Sequence, residues 1–306
     1  MTRITPPTRG GFATRVIGQD VTYFEIDSDA TGRRYAISVA RPAGYAAAEA
    51  PLPVAYALDG QSHGSLIEHL HRRLTSTEAV RGVPPFVQVT IGYPFEVGRE
   101  ASVLRYLDFL PAGEPMNPAM PDYIRQHIRA GEGVAGDAIS ERFLESSSKG
   151  TADRFLRFIE QELHPAVASA HRVSSGDAGL FGFSYGGAFA LFALTADSTL
   201  FSRYGASSPG MLVPDSQIFA LYREFAERNS SSSRERHLHL TVADLEMFGP
   251  IQIYRDLGTQ ITRFYDLLCS LPTPGLTTTT EVTIGVDHES GAGAAYVSFV
   301  RACFGP

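Results

Sequence analysis

The sequence predicts an α/β protein with a mostly parallel central sheet of about eight strands and helices on both faces. Three observations carry this prediction. Short β-rich runs alternate with helix-like stretches along the chain. A glycine-flanked serine lies where one apolar run changes into a helix-like run, at residues 182–186. The 306 residues, 43% of them hydrophobic, are enough to fill the core of one large domain spanning residues 1–306.

The predicted strands are short, rich in β-branched and aromatic residues, and bounded by turn residues. They comprise Val21 to Ile26, Tyr35 to Arg41, Val54 to Leu58, Phe86 to Ile91, the run before Gly182, a run near Tyr204, and the runs that end at Ala243 and Ile284. The first two are expected to form an antiparallel pair. A helix is expected between the next two, from about Ser65 to Ala79.

Two segments depart from this alternation. Residues Met1 to Asp20 are polar and rich in Gly, Pro and Thr, so we expect a flexible segment that is neither a signal peptide nor a membrane anchor. Pro111 to Gly150 is a long excursion with prolines, glycines and a helix-like piece from Tyr123 to Ile128. Long connections in compact domains are usually functional, so we expect a cap over the site. The alternative is a solvated insertion with no role.

The composition excludes several classes of partner. The formal net charge is −7 and no block of Lys and Arg occurs, so nucleic acid is not an expected partner. No run of about 18 apolar residues occurs, so no membrane span is expected. Cys269 and Cys303 are the only cysteines, which favours two reduced thiols in a cytoplasmic protein over one late-formed bridge. A small molecule is the expected partner.

The motif Gly-x-Ser-x-Gly at Gly182, Ser184 and Gly186 points to nucleophilic chemistry. An apolar run precedes it and a helix-like run follows at residues 188–194. A sharp turn between strand and helix would strain the serine backbone, leave room only for glycine on either side, and expose the hydroxyl. Such a serine can attack a carbonyl carbon. The alternative is a glycine-rich turn with an incidental serine.

A serine nucleophile needs a base, and the base needs an acid that orients it. His288 lies among glycines just after the last predicted strand and is the candidate base. Asp244 and Glu246 follow the preceding predicted strand, and both are candidates for the acid. Asp287 is too close to His288 along the chain to be favoured.

The other histidines have simpler interpretations. His237 and His239 lie within a predicted strand and are expected to pack or to face solvent. The spacing of His69 and His71 suggests a metal site, but those positions point apart on a helix. No metal and no other cofactor is therefore expected.

The oxyanion formed by attack on an ester needs two hydrogen-bond donors. The backbone N–H of Tyr185, directly after the serine, is the first candidate. The second is the N–H of Gln61, which follows a short apolar strand and the Asp59-Gly60 break. The alternative for this break is an ordinary Asp-Gly turn.

Several further segments carry a family resemblance. They are Val54 to Gly60, which ends in Leu-Asp-Gly; Val89 to Pro94, which ends in Gly-Tyr-Pro; Arg105 to Pro111, which reads Arg-x-x-Asp-x-x-Pro; the helix-like Asp153 to Pro165; and the turn Ser207-Ser208-Pro209. Together with the serine motif they resemble the Putative esterase branch of the α/β hydrolases, and most nearly its siderophore (trilactone) esterase group. The resemblance runs from about Tyr35 to Phe304.

The resemblance implies an α/β-hydrolase fold with Ser184 as nucleophile, His288 as base, and Gln61 and Tyr185 as backbone donors. The acid of this family usually lies three residues after a small residue at the strand end. Counting from Ala243 gives Glu246, with Asp244 as the fallback.

The chain departs from the family around the expected substrate site, where Gly60, Phe183 and Met211 are the candidate binding residues. Phe183 stands where histidine is commoner. Met211 stands in a segment where siderophore-type members usually carry tryptophan, and this chain has none. The aromatic platform expected for catecholate rings is therefore missing there, which weakens the case for a siderophore substrate.

The expected function is hydrolysis of a small carboxylic ester through an acyl-enzyme intermediate. An acyltransferase would use the same residues. A catalytically silent binding protein would use the same cleft, since a fold does not guarantee its chemistry.

Overall fold

One sheet forms the centre of the computed structural model, which describes residues 3–4, 20–76, 82–132, 135–146 and 149–305. The strands in those residues are β1 Arg3–Ile4, β2 Val21–Asp27, β3 Arg34–Ala40, β4 Leu52–Ala57, β5 Val87–Gly92, β6 Val173–Phe183, β7 Phe201–Ser207, β8 Arg236–Ala243 and β9 Leu276–Thr283. Their order across the sheet is β1-β2-β3-β5-β4-β6-β7-β8-β9.

The strand directions confirm the predicted mixed sheet. β2 pairs with β3 antiparallel, from Val21 opposite Ala40 to Asp27 opposite Arg34. β3 is also antiparallel to β5, whereas every pair from β5 through β4 and β6 to β9 is parallel. The carboxyl ends of the parallel strands therefore meet at one edge, where sites in such sheets form.

The ninth strand was not expected from the sequence. β1 pairs antiparallel with β2, with Arg3 opposite Asp27, inside the segment predicted to be flexible. Residues 3 and 4 of that segment are thus paired with the sheet. Its remainder up to residue 19 lies outside the described residues.

The helices in the same described ranges are α1 Gly60–Leu74, α2 Glu100–Phe109, α3 Met120–Glu132, α4 Ala135–Glu145, α5 Ala152–Phe158, α6 His164–Ala170, α7 Tyr185–Thr195, α8 Gln217–Arg228, α9 Asp244–Phe248, α10 Gln252–Ser270 and α11 Ala292–Phe304. A π-helical turn, Ile159–Leu163, joins α5 to α6. None of these helices is both long enough and apolar enough to cross a bilayer.

Helix α1 begins five residues before the predicted start at Ser65. Asp59 takes a left-handed conformation with φ 58° and ψ 40°, and the helix starts directly after it. Asp59-Gly60 is therefore the start of a helix and not an ordinary Asp-Gly turn. The predicted end at Ala79 lies outside the described residues.

Side chains that alternate along the inner strands fill a core on each face of the sheet. Tyr56 and Leu180 belong to the larger cluster, which contains α7 and α8. Ala57 and Phe181 belong to the second cluster, which is covered by α1 and α11. The predicted helices on both faces are therefore confirmed. Cys303 in α11 is buried and Cys269 is exposed, and both are free thiols.

A buried carboxylate ties α2 to the antiparallel half of the sheet. Asp108 is completely buried and accepts hydrogen bonds from the hydroxyls of Tyr35, at 2.9 Å, and Tyr93, at 2.8 Å. Arg33 Nη1 lies 2.6 Å from the other carboxylate oxygen. Burial raises the pKa of Asp108 to about 6, although Arg33 and the two hydroxyls oppose the shift. This is the aspartate of the Arg-x-x-Asp-x-x-Pro segment.

The excursion from Pro111 to Gly150 contains two helices, α3 and α4, where the sequence predicted one helical piece. An antiparallel bridge between Ala112 and Lys149 holds its two ends together. The two ends of the segment therefore lie next to each other in the structure.

The glycines around Ser184 differ in their steric surroundings. A Cβ on Gly182 would collide with the backbone carbonyl of Gly186, and one on Gly187 would lie 2.6 Å from a backbone oxygen of β7. A Cβ on Gly186 would find only side-chain atoms at 3.5 Å, an ordinary contact. The expectation that only glycine fits beside the serine therefore holds for Gly182 and is wrong for Gly186.

We predict that Gly182→Ala and Gly187→Ala each lower the free energy of unfolding by about 2 kcal/mol or more, because backbone must move to admit the methyl group. Gly186→Ala is the matched control. It should change stability by less than about 1 kcal/mol, since alanine favours the helix. Chemical denaturation of the three variants measures this. An equal loss in all three would contradict the steric explanation.

Candidate active site

Ser184 is held in a strained backbone conformation between β6 and α7. Its φ is 58° and its ψ is −124°, a combination that residues with side chains rarely adopt. Two hydrogen bonds fix it: Ser184 N donates to Ser207 O at 3.0 Å, and Gly210 N donates to Ser184 O at 2.8 Å. The end of β7 and the turn after it therefore set the direction of the serine side chain.

The structure brings the three residues of the expected triad together. His288 Nε2 lies 3.0 Å from Ser184 Oγ, and His288 Nδ1 lies 2.6 Å from Glu246 Oε1. The histidine side chain is 13% exposed and the glutamate is fully buried. The parallel strands β6, β8 and β9 end at the same edge of the sheet, so their following segments meet although they are far apart in sequence.

Glu246 and Asp244 occupy different environments. Glu246 Oε2 accepts hydrogen bonds from Ser208 Oγ at 2.7 Å and from Ala243 N at 2.8 Å, which leaves Oε1 for His288. Asp244 is more exposed, and its Oδ1 accepts from the backbone N–H of Leu245 and of Gly285, both at 2.9 Å. Asp244 thus joins the segment after β8 to the segment after β9, and it is Glu246 that contacts His288.

Two aromatic rings contact the imidazole of His288. Tyr254 on α10 stacks on it, with ring centroids 4.5 Å apart and an interplanar angle of 21°. Phe183 lies 5.0 Å away at 43°. These contacts restrict the ring rotation of His288, as the bond to Glu246 does.

The hydroxyl of Tyr254 joins a short polar chain. It donates to Glu289 Oε1 at 2.7 Å, and it lies 2.6 Å from the hydroxyl of Tyr123 on α3. Burial and the hydrogen bonds with Tyr123 and Glu289 raise the pKa of Tyr254. The excursion from Pro111 to Gly150, called the inserted segment below, is therefore linked through Tyr123 to the Tyr254 ring that covers His288.

The two expected oxyanion donors lie at the starts of helices. Tyr185 is the first residue of α7, so its N–H has no acceptor within the helix. In α1, the N–H groups of Ser62 and His63 both donate to Asp59 O at 2.9 Å. The N–H of Gln61 precedes these and is likewise free of an intrahelical bond. Helix N-termini carry partial positive charge, which suits an oxyanion.

An ion pair lies beside these donors. Arg105 Nε and Nη2 donate to the two carboxylate oxygens of Asp59, at 2.8 and 2.7 Å. The arginine side chain is 21% exposed and the aspartate 3%. Burial alone would lower the pKa of Arg105, but the Asp59 carboxylate raises it above its ordinary value. The guanidinium also lies 5.4 Å from the ring centre of Tyr185.

A cavity of about 410 Å³ opens over Ser184. Its lining comes from the sheet edge, from the inserted segment and from α10. The lining residues are Asp59, Ser62, His63, Ser102, Arg105, Met120, Tyr123, Ile124, Phe143, Phe183, Ser184, Tyr185, Gly210, Leu212, Ile253, Tyr254, Leu257, His288 and Glu289. Burial lowers the pKa of His63, so its ring is neutral at neutral pH.

Two of the expected binding residues lie elsewhere. Met211 is fully buried in the larger core cluster, and its neighbours Gly210 and Leu212 line the cavity instead. Gly60 packs against β5, where a Cβ would meet Thr90 Cγ2 at 3.0 Å. Phe183 lines the cavity, as expected.

Several lining residues have no sequence signal that places them at the site. Arg105 lies in a segment that carries the family resemblance, and Tyr123 lies in a predicted helical piece. Tyr254 and Glu289 carried no local signal. Glu289 directly follows His288 in the chain, whereas the proximity of Tyr254 to His288 arises from packing between segments that are distant in sequence.

Comparison with known proteins identifies the family. Residues 28–262, more than half of the chain, match the esterase family described as Putative esterase. The chain belongs to this family.

Two relatives illustrate the range of similarity. The chain is 28% identical to the ferri-bacillibactin esterase BesA of Bacillus subtilis (strain 168) over 207 residues, which are 67% of this chain and 61% of that protein. It is 30% identical to the siderophore triacetylfusarinine C esterase of Aspergillus fumigatus over 193 residues, 61% of this chain and 55% of that protein. The matched region thus covers less than two thirds of either relative.

Solved structures are similar over almost the whole chain. The BES protein from Bacillus cereus superposes with a TM-score of 0.73 at 22% identity, covering 94% of this chain and 97% of that one. The siderophore hydrolase EstB from Aspergillus nidulans gives a TM-score of 0.71 at 21% identity, covering 93% and 96%. At these identities the likeness concerns the fold, which is the α/β-hydrolase fold expected from the sequence.

We predict that Arg105→Met lowers the free energy of unfolding by about 3 kcal/mol, because it leaves the buried Asp59 carboxylate without its cation. Adding Asp59→Asn should recover part of the loss, since asparagine is neutral and tolerates the left-handed backbone. Chemical denaturation measures both.

The control for this experiment is Arg125→Met on α3, where the arginine contacts Asp122 and Glu141 at 3.7 and 3.4 Å on the surface. A change of less than about 0.5 kcal/mol is expected there. If the double variant were no more stable than Arg105→Met, burial of an unpaired charge would not be the cause.

Proposed function

We propose that the chain is a serine hydrolase that cleaves carboxylic ester bonds through an acyl-enzyme intermediate. The observation that carries this proposal is the hydrogen-bonded series Ser184, His288 and Glu246, with contacts of 3.0 and 2.6 Å, at a strained strand-to-helix turn. Membership of the esterase family supports it.

Acylation follows from this arrangement. His288 Nε2 accepts the hydroxyl proton as Ser184 Oγ attacks the carbonyl carbon of the ester. Glu246 stabilises the imidazolium that forms, and the N–H groups of Tyr185 and Gln61 donate to the oxyanion. The carbon–oxygen bond to the alcohol then breaks, and the proton on Nε2 passes to the leaving oxygen. Ser184 carries the acyl group.

Deacylation repeats the steps with water as the nucleophile. His288 accepts a proton from a water molecule that attacks the acyl carbon, and the oxyanion again receives hydrogen bonds from the two N–H groups. Collapse of the intermediate returns the proton to Ser184 and releases the carboxylic acid. No cofactor is required by this sequence of steps.

The inserted segment from Pro111 to Gly150 acts in this proposal as a cap. Met120, Tyr123, Ile124 and Phe143 belong to it and line the cavity over Ser184. Apolar side chains at that position would contact the bulk of an ester and exclude water around the reacting carbonyl.

Siderophore esters are the substrate class that the names of the relatives support. Although the chain has no tryptophan, the cavity has aromatic walls from other positions. The rings that line it are Tyr123, Phe143, Phe183, Tyr185 and Tyr254. Flat apolar surfaces of this kind suit aromatic or extended alkyl parts of a substrate.

We predict that Ser184→Ala reduces kcat for an aryl ester by about 10⁴-fold or more, because members of a triad act as a unit. A fluorophosphonate probe should add one adduct to the wild-type protein and none to the variant, as measured by intact-mass spectrometry. Circular dichroism checks that the variant is folded. Full turnover in a folded variant would remove Ser184 as the nucleophile.

The neighbouring carboxylates provide a second test. Glu246→Gln should lower kcat by about 10³- to 10⁴-fold, because His288 loses the charge that orients it and stabilises its protonated form. Asp244→Asn is the matched control and should lower kcat less than about tenfold, since the amide oxygen can still accept the two backbone N–H groups. Steady-state kinetics on one aryl ester compares them. The reverse ranking would make Asp244 the acid.

A further inference from the structure

Not every acidic side chain that lines the cavity is paired with a basic one. Asp59 and Arg105 neutralise each other through two hydrogen bonds of 2.8 and 2.7 Å. Burial lowers the pKa of His63, which favours its neutral form, and His288 is bound to Glu246. Within the described lining this leaves Glu289 as the carboxylate that has no basic partner.

A hydrogen bond holds Glu289 in place near His288. Glu289 directly follows His288 in the chain, is exposed, and lines the cavity. Its Oε1 accepts a hydrogen bond from the hydroxyl of Tyr254 at 2.7 Å, and the ring of Tyr254 stacks on the imidazole of His288. Tyr254 is only 8% exposed, so this anchor is rigid. The carboxylate therefore stays on the His288 side of the cavity.

The part of an ester that lies on that side follows from the proposed chemistry. His288 Nε2 gives its proton to the leaving oxygen, so the alcohol part of the ester lies beside His288. A fixed negative charge there repels an anionic alcohol part and attracts a cationic one.

The geometry points to Glu289 as a specificity-determining residue that selects esters with a neutral or cationic alcohol part and disfavours anionic ones. This inference rests on the proposed ester hydrolysis and adds the charge class of the substrate to it. Because Glu289 is exposed, its influence passes largely through water and is moderate. At a separation of roughly 7 Å between the Glu289 carboxylate and the charge on the ester, one unit charge in largely aqueous surroundings changes a rate ratio about three- to sevenfold.

Three phenyl acetates of similar size test the inference. They carry a meta substituent that is cationic (trimethylammonio), neutral (tert-butyl) or anionic (carboxylate). Intrinsic reactivity differs among them, so each variant is compared with wild type on the same ester, and each result is normalised to the neutral ester. Glu289→Gln should raise the normalised kcat/KM for the anionic ester about three- to sevenfold and lower that for the cationic ester by a similar factor.

Two controls separate local from general effects. Glu224→Gln removes the same charge from α8, where Glu224 pairs with Arg228 at 3.7 Å on the surface, and it should leave the normalised values unchanged. Raising the ionic strength from about 0.02 M to about 0.5 M should reduce the preference of the wild-type protein for the cationic over the anionic ester, because salt screens exposed charges.

The outcomes are distinct for the two proposals. If wild type hydrolyses the neutral ester and Ser184→Ala does not, ester hydrolysis stands. Identical normalised values for Glu289→Gln and wild type would then overturn the charge selectivity alone. An equal loss on all three esters in Glu289→Gln would also overturn it, because that result would assign Glu289 only a role in positioning Tyr254. If wild type hydrolyses none of the three and takes up no fluorophosphonate, the proposed hydrolysis itself fails.

Discussion

The close approach of α7 to the ends of β6 and β7 is the constraint on which the rest of the site depends. It is possible only because Gly182 and Gly187 carry no side chain. The approach forces Ser184 to a positive φ and fixes its backbone against Ser207 and Gly210. The hydroxyl then stands at the edge where β8 and β9 also end. Partners that are 104 and 42 residues apart can meet there because the parallel sheet aligns the ends of its strands.

Buried carboxylates anchor both the scaffold and the site. Asp59, Asp108 and Glu246 are each at most 3% exposed, and each accepts at least two hydrogen bonds. A buried carboxylate without such partners would be strongly destabilising, so each one fixes the positions of its donors. Asp108 holds α2 to the antiparallel strands, and Asp59 holds Arg105 near the start of α1. Glu246 differs in having a histidine as partner.

Several side chains contact or surround the imidazole of His288 in the cavity. Glu246 orients the imidazole from one edge, Tyr254 covers its face, and Glu289 places a charge beside it. Tyr123 extends this contact to the inserted segment through its hydroxyl. Residues that line the cavity and residues that contact His288 therefore also contact one another.

The sequence by itself determined the mixed α/β sheet, the strand-to-helix turn at Ser184, the candidate base His288, and the two candidate acids Glu246 and Asp244. Each has a local signal, since strand patterns, flanking glycines and spacing from a strand end depend on neighbours along the chain. The tertiary structure alone placed Glu246, and not Asp244, against His288, made Leu212 rather than Met211 a lining residue, and added β1 to the edge of the sheet. It also brought Arg105 and Tyr254 to the cavity. The direction of a side chain in a turn, the pairing of a two-residue strand and contacts between distant helices are set by packing across the whole domain, and local sequence does not encode them.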